Sequence, residues 1–330
     1  MAQCRRIALF GECMIELRGE PFGAMQQGFG GDTLNTAIYL ARLSRDIDLQ
    51  VSYATALGTD PFSAHMIAAW QGEGIDTAQV RRLPDRLPGL YAIQVDPMGE
   101  RHFFYWRDAS AARQYFDAGR TPLEEAADTL AVLYLSGISL AILPAADRER
   151  LLAVMARVRA SGGRIVFDNN LRPRLWPSLT EARACYRQVY ALCDIALITL
   201  DDEMTLREHG STEQALADVS ALGVAEVAIK RGVQPTLVSV AGSRWDTVPV
   251  EPVPRVVDTT AAGDSFAGAY LAMRMAGAEP VAAARAANRM SAVVIQYPGA
   301  IIPAEAMPTR SVLLADAAPS PAESIQSSAE

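Results

Sequence analysis

The feature that most constrains the fold of this chain is a regular alternation of short apolar runs with amphipathic segments of helical length. The runs with the character of buried strands are Ile7 to Phe10, Leu49 to Ala54, Ala131 to Leu135, Arg164 to Asp168, Ile195 to Thr199 and Glu226 to Ile229. The helix patterns between them are Thr33 to Leu43, Pro61 to Gly72, Pro144 to Ala160, Leu179 to Leu192 and Ser211 to Leu222. Such alternation is typical of βαβ units. The sequence therefore predicts an α/β fold with a central, mostly parallel sheet flanked by helices.

Two segments interrupt the alternation. Residues 12–30 are strand-like and rich in glycine, and residues 89–107 have the pattern of a hairpin around the turn at 96–99. They predict a small antiparallel sheet, and both a lid and a routine extension of the main sheet stay open as its role. Beyond Pro308 the chain is rich in Ala, Ser, Pro and Glu, which predicts one domain over 1–308 and a disordered tail over 309–330.

Charge and hydropathy exclude several classes of function. The net charge of −8 argues against a nucleic-acid-binding protein, since such proteins need a basic face. The longest apolar run, Leu130 to Leu143, is too short to span a bilayer, and the N-terminus lacks the pattern of a signal peptide. Neither the cysteines nor the histidines have metal-binding spacing. We therefore expect a cytoplasmic protein without nucleic-acid or membrane partners.

The segment that points most directly to chemistry is Asp258-Thr259-Thr260-Ala261-Ala262-Gly263-Asp264-Ser265-Phe266, which leads into an apolar helix pattern. Small residues at a helix start expose backbone N–H groups, and together with the helix dipole these groups bind anions. Asp264 lies inside this anion site. An isolated Asp there would complement the dipole, but in this context a general base facing a transferring phosphoryl group is the better hypothesis.

Three other stretches come close to known motifs but do not match their consensus. Gly28, Gly30 and Thr33 nearly form a GxGxxG fingerprint, but the third position is Thr, which disfavours a nicotinamide dehydrogenase. The stretch from Gly263 to Ala267 lacks the final glycine of a GxSxG nucleophile elbow. Lys230 is the only lysine among the 30 basic residues, and it is followed by Arg231, so the chain has no P-loop.

The DTTAAGDSF segment resembles the C-terminal signature of the PfkB, or ribokinase-like, carbohydrate kinases. The segment Gly30 to Ala37, GGDTLNTA, is similar to the second signature of that family. The resemblance runs from about residue 7 to about residue 308. It implies a ribokinase-like fold, an ATP-dependent sugar kinase, and a β-sheet lid formed by about 12–30 and 89–107.

The resemblance also implies roles for single residues. Asp264 would take the proton from a primary sugar hydroxyl, since an aspartate with its usual pKa is ionised at pH 7. The N–H groups of three residues would form the anion hole: Ala261, Ala262 and Gly263. Three further residues would contact the nucleotide: Lys230 and Gly232, from a K-x-G stretch, and Asn288.

Two ion sites follow from the same resemblance. Glu203 occupies the position of the glutamate in an NxxE motif that helps to hold Mg²⁺ through water, although Leu200 replaces the expected Asn. An ordinary acidic helix start is the alternative for Glu203. Asp258 and Thr260 resemble positions that bind a monovalent cation such as K⁺ in some relatives, with turn and capping roles as the alternative.

Within the family, the stretches 11–17, 28–37, 105–107 and 167–176 together resemble kinases that convert 2-keto-3-deoxygluconate to its 6-phosphate. A sugar acid needs a cationic partner, and the resemblance selects Arg107 and Arg172 for that carboxylate. The other implied sugar contacts are Gly31, Asp32, Asn35, Tyr91, Tyr105 and Asn170, and Asp32 has helix capping as a second role.

Alternatives remain at this point. A fructokinase or another sugar kinase of the family would need no pair of arginines, and a non-catalytic sugar-binding protein on the same scaffold would need no Asp264. The aromatic residues Phe103, Phe104 and Trp106 would suit either a homo-oligomer interface through the lid or a cover over the substrate.

Overall fold

The computed structural model describes residues 5–95, 101–117, 119–242 and 244–315. The strands in these residues are β1 (Arg5–Phe10), β2 (Met14–Gly19), β3 (Met25–Gly30), β4 (Leu49–Leu57), β5 (Val80–Arg82), β6 (Leu90–Val95), β7 (Arg101–Trp106), β8 (Val132–Ser136), β9 (Arg164–Asp168), β10 (Ile195–Thr199), β11 (Glu226–Arg231), β12 (Gln234–Val240) and β13 (Asp246–Val248). Every strand predicted for the central sheet is present.

The α-helices in the same residues are α1 (Asp32–Leu43), α2 (Pro61–Gly72), α3 (Pro122–Ala126), α4 (Gly137–Ala141), α5 (Ala145–Ala160), α6 (Leu179–Leu192), α7 (Leu200–Arg207), α8 (Thr212–Ser220), α9 (Ala262–Met275), α10 (Pro280–Val294) and α11 (Arg310–Leu314). Short 3₁₀ helices cover Ala111–Gln114, Ala127–Thr129, Pro173–Leu175 and Ala304–Ala306. The five predicted helices agree with α1, α2, α5, α6 and α8 to within two residues at each end.

The large sheet has nine strands in the order β13-β12-β11-β10-β9-β8-β1-β4-β5. The strands from β11 to β5 pair in parallel, and β12 and β13 add antiparallel pairs at one edge. The chain builds outward from β1 to β5 on one side and then returns to β8 on the other side. This reversal beside β1 is a topological switch point, where open α/β sheets bind ligands at the carboxyl ends of their strands.

Both faces of this sheet are buried. Along β1, Ile7 and Leu9 belong to one apolar cluster and Ala8 and Phe10 to another, as the two-residue period of a strand requires. The first cluster includes side chains of α1, α2, α9 and α10, and the second includes side chains of α5 to α8. The predicted α/β fold with helices on both faces is confirmed.

A second sheet has four strands in the order β3-β2-β6-β7. It is built from the two segments that interrupt the alternation. Its outer pairs are antiparallel, but β2 and β6 pair in parallel, so the predicted all-antiparallel arrangement is wrong for the central pair. The two segments are far apart in sequence, and their first strands, β2 and β6, run in the same direction side by side. The predicted turn at 96–99 lies outside the described residues.

The disordered tail was predicted to begin at residue 309, but residues 309–315 are ordered and include α11. Thr309 caps α11 by accepting a hydrogen bond from the Val312 N–H, and Leu313 is buried in the apolar cluster under α10. The main-chain carbonyl of Leu313 also accepts a 2.9 Å hydrogen bond from Arg289. One apolar side chain in a short helix is thus enough to dock this segment, and residues 316–330 lie outside the described part. None of the described helices is both long and apolar enough to cross a membrane.

Candidate active site

A cavity of about 980 Å³ lies between the carboxyl ends of the parallel strands and the small sheet. Most of the site residues predicted from the sequence line it. They are Gly31, Asp32, Asn35, Tyr91, Tyr105, Arg107, Asn170, Arg172, Lys230, Thr260, Ala261, Gly263 and Asp264. Residues from distant parts of the chain therefore meet at the switch point of the sheet.

The start of α9 forms the floor of this cavity. Ala261 has left-handed backbone angles, with φ at 61°, and Asp264 is the third residue of the helix. The Ala262 N–H, predicted for the anion hole, donates to the Thr259 carbonyl at 3.2 Å and is engaged in this structure. Within the described residues, the N–H groups of Ala261 and Gly263 have no protein acceptor. These two groups are free for an anion.

Close packing of α9 against α1 fixes the position of Asp264. A Cβ on Gly268 would lie 2.7 Å from the Cβ of Tyr39 and 2.8 Å from the Thr36 carbonyl oxygen, so only glycine allows this approach. The approach brings Asn35 to Asp264, and its Nδ2 donates to Oδ2 of the carboxylate at 2.8 Å. One oxygen of the candidate base is therefore held by α1.

The surroundings of Asp264 change its acidity. Burial raises its pKa first, the negative charge of Asp32 raises it further, and the hydrogen bond from Asn35 lowers it, with a result of about 7. The expectation of a usual aspartate pKa is therefore wrong. A carboxylate with a pKa near 7 is well matched to general-base chemistry near neutral pH.

An ion pair spans the ends of two strands beside this carboxylate. Lys230, on β11, donates through Nζ to Oδ2 of Asp168, the last residue of β9, at 2.7 Å. Asp168 is buried, and its other carboxylate oxygen has no hydrogen-bond partner among the residues that the structure describes. The Lys230 ammonium also lies beside Gly263, since a Cβ built on that glycine would be 3.5 Å from Nζ. The only lysine of the chain is thus next to the start of α9.

Sequence reasoning missed Asp168 and Asp202 as site residues. Both line the cavity, and Asp202 accepts a 3.1 Å hydrogen bond from the Leu171 N–H. Each lies at or just after the carboxyl end of a predicted parallel strand, and that position was the signal that could have identified them.

The loop after β9 forms one wall. Asn170 donates through Nδ2 to Oδ2 of Asp32 at 2.6 Å, which joins this loop to the start of α1. Arg172 lines the cavity with its side chain 53% exposed, and its nearest carboxylate oxygen, on Asp202, is 4.0 Å away. Arg174 lines the same wall and was also missed by the sequence analysis. This wall carries cationic side chains that are open to a ligand.

The small sheet forms the opposite wall. Arg107 is buried and pairs with the carboxylate of Glu12, and its guanidinium lies 5.8 Å from the Tyr105 ring centre. Its Nε is buried and has no partner within the described part of the chain. The hydroxyl of Tyr91 donates to the carboxylate of Glu16, and burial together with that negative charge raises the pKa of Tyr91. The tyrosine hydroxyl predicted to bind the sugar is therefore already engaged.

Five of the predicted site residues are not among the described residues that line the cavity: Ala262, Asp258, Glu203, Asn288 and Gly232. Glu203 is fully buried and bonds to Tyr190 and Arg207, so it does not face the site as a magnesium ligand would. Asn288 uses its amide to bond the side chain of Thr236 and two main-chain carbonyls, which leaves no group for an adenosine. Gly232 has a φ of 60° in the exposed turn between β11 and β12, and that turn explains the glycine.

The predicted monovalent-cation positions have a different partner. Arg101, the first residue of β7, donates to the carboxylate of Asp258 and to the Thr260 hydroxyl. The side-chain oxygens assigned to a cation are therefore engaged by a guanidinium from the small sheet.

Comparison with known proteins adds independent findings. The model of the pfkB family of carbohydrate kinases matches residues 5–307. The chain is 48% identical over 308 residues to the 2-dehydro-3-deoxygluconokinase of Escherichia coli K12, a match that covers 92% of this chain and 99% of that protein.

Two solved structures share the fold. One is an E. coli chain assigned as ribokinase II in complex with ATP and Mg²⁺, with a TM-score of 0.79, 24% identity and coverage of 94% of this chain and 97% of the other. The other is a double-mutant fructokinase of Vibrio cholerae O395 with fructose, ADP and potassium bound, with a TM-score of 0.77, 24% identity and the same coverages. The family match over nearly the whole described chain and the 48% identity agree with the geometry of the cavity, and the chain belongs to the pfkB family of carbohydrate kinases.

Proposed function

We propose that this chain transfers the γ-phosphate of ATP to the 6-hydroxyl of 2-keto-3-deoxygluconate, also named 2-dehydro-3-deoxygluconate. The observation that carries the proposal is the partly buried Asp264 at the start of α9, facing a cavity whose walls hold arginines for a sugar acid. The 48% identity to the E. coli enzyme of that name supports the same substrate.

Asp264 acts as the general base in this proposal. Its carboxylate accepts the proton of the 6-hydroxyl as that oxygen bonds to the γ-phosphorus, and the bond from phosphorus to the β,γ-bridging oxygen breaks to release ADP. Asn35 holds one carboxylate oxygen at 2.8 Å and thereby orients the base. The pKa of about 7 keeps a large fraction of Asp264 ionised near neutral pH.

The start of α9 and Lys230 stabilise the charge of the transferring group. Phosphoryl transfer depends mainly on positioning and on neutralising charge at the equatorial oxygens. The free N–H groups of Ala261 and Gly263 supply donors, and the Lys230 ammonium, held by Asp168, supplies a positive charge beside them.

Magnesium fits the donor set at this end of the cavity. Mg²⁺ prefers oxygen ligands, and Asp168 and Asp202 present carboxylates there, one with an unpartnered oxygen. These residues would hold the ion directly or through water, and it would neutralise charge on the nucleotide phosphates.

The sugar carboxylate is assigned to the two arginine-bearing walls. Arg107 keeps a buried Nε without a partner, and Arg172 and Arg174 face the cavity from the loop after β9. A guanidinium matches a carboxylate in geometry and charge. A neutral sugar such as fructose would leave the Arg107 Nε unpaired, which is costly in a buried site and disfavours the fructokinase alternative.

A panel of acceptors tests the proposal. ADP release is measured with 2-keto-3-deoxygluconate, gluconate, fructose and ribose, and the phosphorylated carbon is located by ³¹P–¹H correlation NMR. We expect the keto-deoxy acid to have the highest kcat/KM and to carry phosphate on carbon 6. A preference for fructose would support the fructokinase instead, and tight binding without ADP release from any acceptor would indicate a sugar-binding protein.

A further inference from the structure

The loop that leads into α9 is organised around one buried carboxylate. Asp258 is 2% exposed, and its side chain accepts hydrogen bonds from the Thr260 N–H at 2.9 Å and the Gly299 N–H at 2.6 Å. Its own N–H donates to the Ile295 carbonyl at 3.1 Å. Because Thr260 directly precedes Ala261, Asp258 fixes the segment that presents the anion-binding N–H groups.

The positive charge that balances Asp258 comes from the small sheet. The Arg101 Nη1 donates to the Asp258 carboxylate and, at 2.7 Å, to the Thr260 hydroxyl. Burial alone would raise the pKa of Asp258, but the hydrogen bonds from Arg101 and Thr260 outweigh it and lower that pKa. A buried, ionised carboxylate is costly unless it is paired and hydrogen-bonded. Two backbone N–H groups supply hydrogen bonds to Asp258, and Arg101 supplies the positive charge.

The other candidate for that positive charge is a free monovalent ion. The sequence assigned Asp258 and Thr260 to such an ion, and the V. cholerae fructokinase of the same fold was solved with potassium bound. In this chain the side-chain oxygens of both residues are engaged by the guanidinium. The donor set therefore does not fit a free ion at these side chains while Arg101 is in place.

We infer that Arg101 is a positioning residue whose guanidinium acts as a tethered cation, fixing the anion-binding start of α9 so that phosphoryl transfer needs no added K⁺. The inference rests on the proposed kinase function. It has a structural consequence, because Arg101 belongs to β7 and Asp258 to the loop before α9. The small sheet completes the anion site in the same arrangement in which it covers the cavity.

The first experiment replaces K⁺ at constant ionic strength with tetramethylammonium, which is too large to enter the loop. Wild type should have the same kcat in both salts. Arg101→Ala should lose on the order of 10²-fold in kcat with tetramethylammonium, since a small misplacement of a reacting group has an effect of that size. K⁺ or guanidinium should restore much of the loss, whereas Arg101→Lys should stay independent of K⁺.

A matched control is Arg164→Ala, which removes an exposed arginine at the opposite end of β9 from Asp168. Its kcat should equal that of wild type in both salts. Wild-type activity that depends on K⁺ would overturn the inference. So would a folded Arg101→Ala that keeps full activity or that no cation restores.

Thermal unfolding of the ADP complex gives a readout that requires no sugar turnover. K⁺ should raise the Tm of Arg101→Ala by about 2 °C relative to tetramethylammonium, because an ion that binds the folded state stabilises it. Wild type and Arg164→Ala should show no such difference. An equal shift in all three proteins would contradict a tethered cation, and because sugar is absent, this result is separate from any failure of the proposed acceptor.

Discussion

The two walls of the cavity differ in how their charged residues are paired. At the carboxyl ends of the large sheet, Arg172 is half exposed and 4.0 Å from its nearest carboxylate, and Asp168 keeps an unpartnered oxygen. In the small sheet, Arg107 pairs with Glu12 and Arg101 pairs with Asp258. On the large-sheet wall Lys230 pairs with Asp168, but Arg172 stays open to substrates, whereas the small-sheet wall uses its arginines first to hold the structure together.

This difference follows from how each wall is built. Parallel strands end at one edge of a sheet, and the helices and loops that follow present polar groups there, where ligands bind. A small sheet has little apolar core of its own, and among the described residues its buried cluster comprises Met14, Tyr91 and Ile93. The pair of Arg107 with Glu12 joins its two segments, and the pair of Arg101 with Asp258 ties it to the main domain.

The largest expected effect is on the large-sheet side. Asp264→Asn should lower kcat by about 10²- to 10⁴-fold, because the amide cannot accept the hydroxyl proton. Binding of ADP and of the sugar acid, measured by calorimetry, should persist, since Asn35 can still bond the amide oxygen.

The control is Asp108→Asn, which makes the same change of charge at an exposed residue that lines the cavity after β7. Its kcat should stay close to wild type. Comparable losses in both variants would show that charge in the cavity, and not a base at α9, limits the reaction.

The same contrast explains what the sequence could predict. The strands and Asp264 follow from apolar periodicity and from small residues at a helix start, which are local signals. The pairing of Arg107 with Glu12 and of Arg101 with Asp258 joins residues that are distant in the chain, and nothing in their neighbourhoods predicts it. The bonds of Asn288 with Thr236 and of Glu203 with Tyr190 could not be predicted for the same reason, since these partners lie on other elements.

The second prediction concerns the buried arginine of the small sheet. Arg107→Ala should lower the free energy of unfolding by about 3–5 kcal/mol, because it leaves the Glu12 carboxylate buried without a cation. Denaturant titration measures this change. Glu12→Gln combined with Arg107→Ala should recover part of the loss, since no charge is then stranded, and a double variant less stable than the single one would contradict this explanation.

The third prediction concerns the exposed arginine of the opposite wall. Arg172→Ala should raise the KM for 2-keto-3-deoxygluconate by about 10- to 100-fold, the effect of one charge-assisted hydrogen bond. Its free energy of unfolding should change by less than about 0.5 kcal/mol, since the side chain is half exposed. The same assay with a neutral acceptor should show little change in KM. An equal rise with both acceptors would remove Arg172 from the carboxylate site.

The smallest expected effect is a shift in pH dependence. Asp264 must be ionised to accept a proton, and its pKa is raised to about 7, so kcat/KM should rise with pH through about 7 and level off above it. The negative charge of Asp168 contributes to that raised pKa, while Lys230 opposes it. Asp168→Asn should therefore move the rising limb to lower pH, and full ionisation would gain only about twofold at pH 7.

The quantity to compare is the pH at which kcat/KM reaches half of its plateau value. The plateau itself is not informative, because loss of Asp168 also frees Lys230 and changes that rate. Asp202→Asn makes the same charge change after the next strand and should leave the limb in place. Arg107→Ala should also leave it in place, since the small-sheet wall is not among the main causes of the raised pKa. A limb that moves equally in all three variants would mean that the whole cavity sets the acidity of the base, and the distinction between the two walls would then fail for proton transfer.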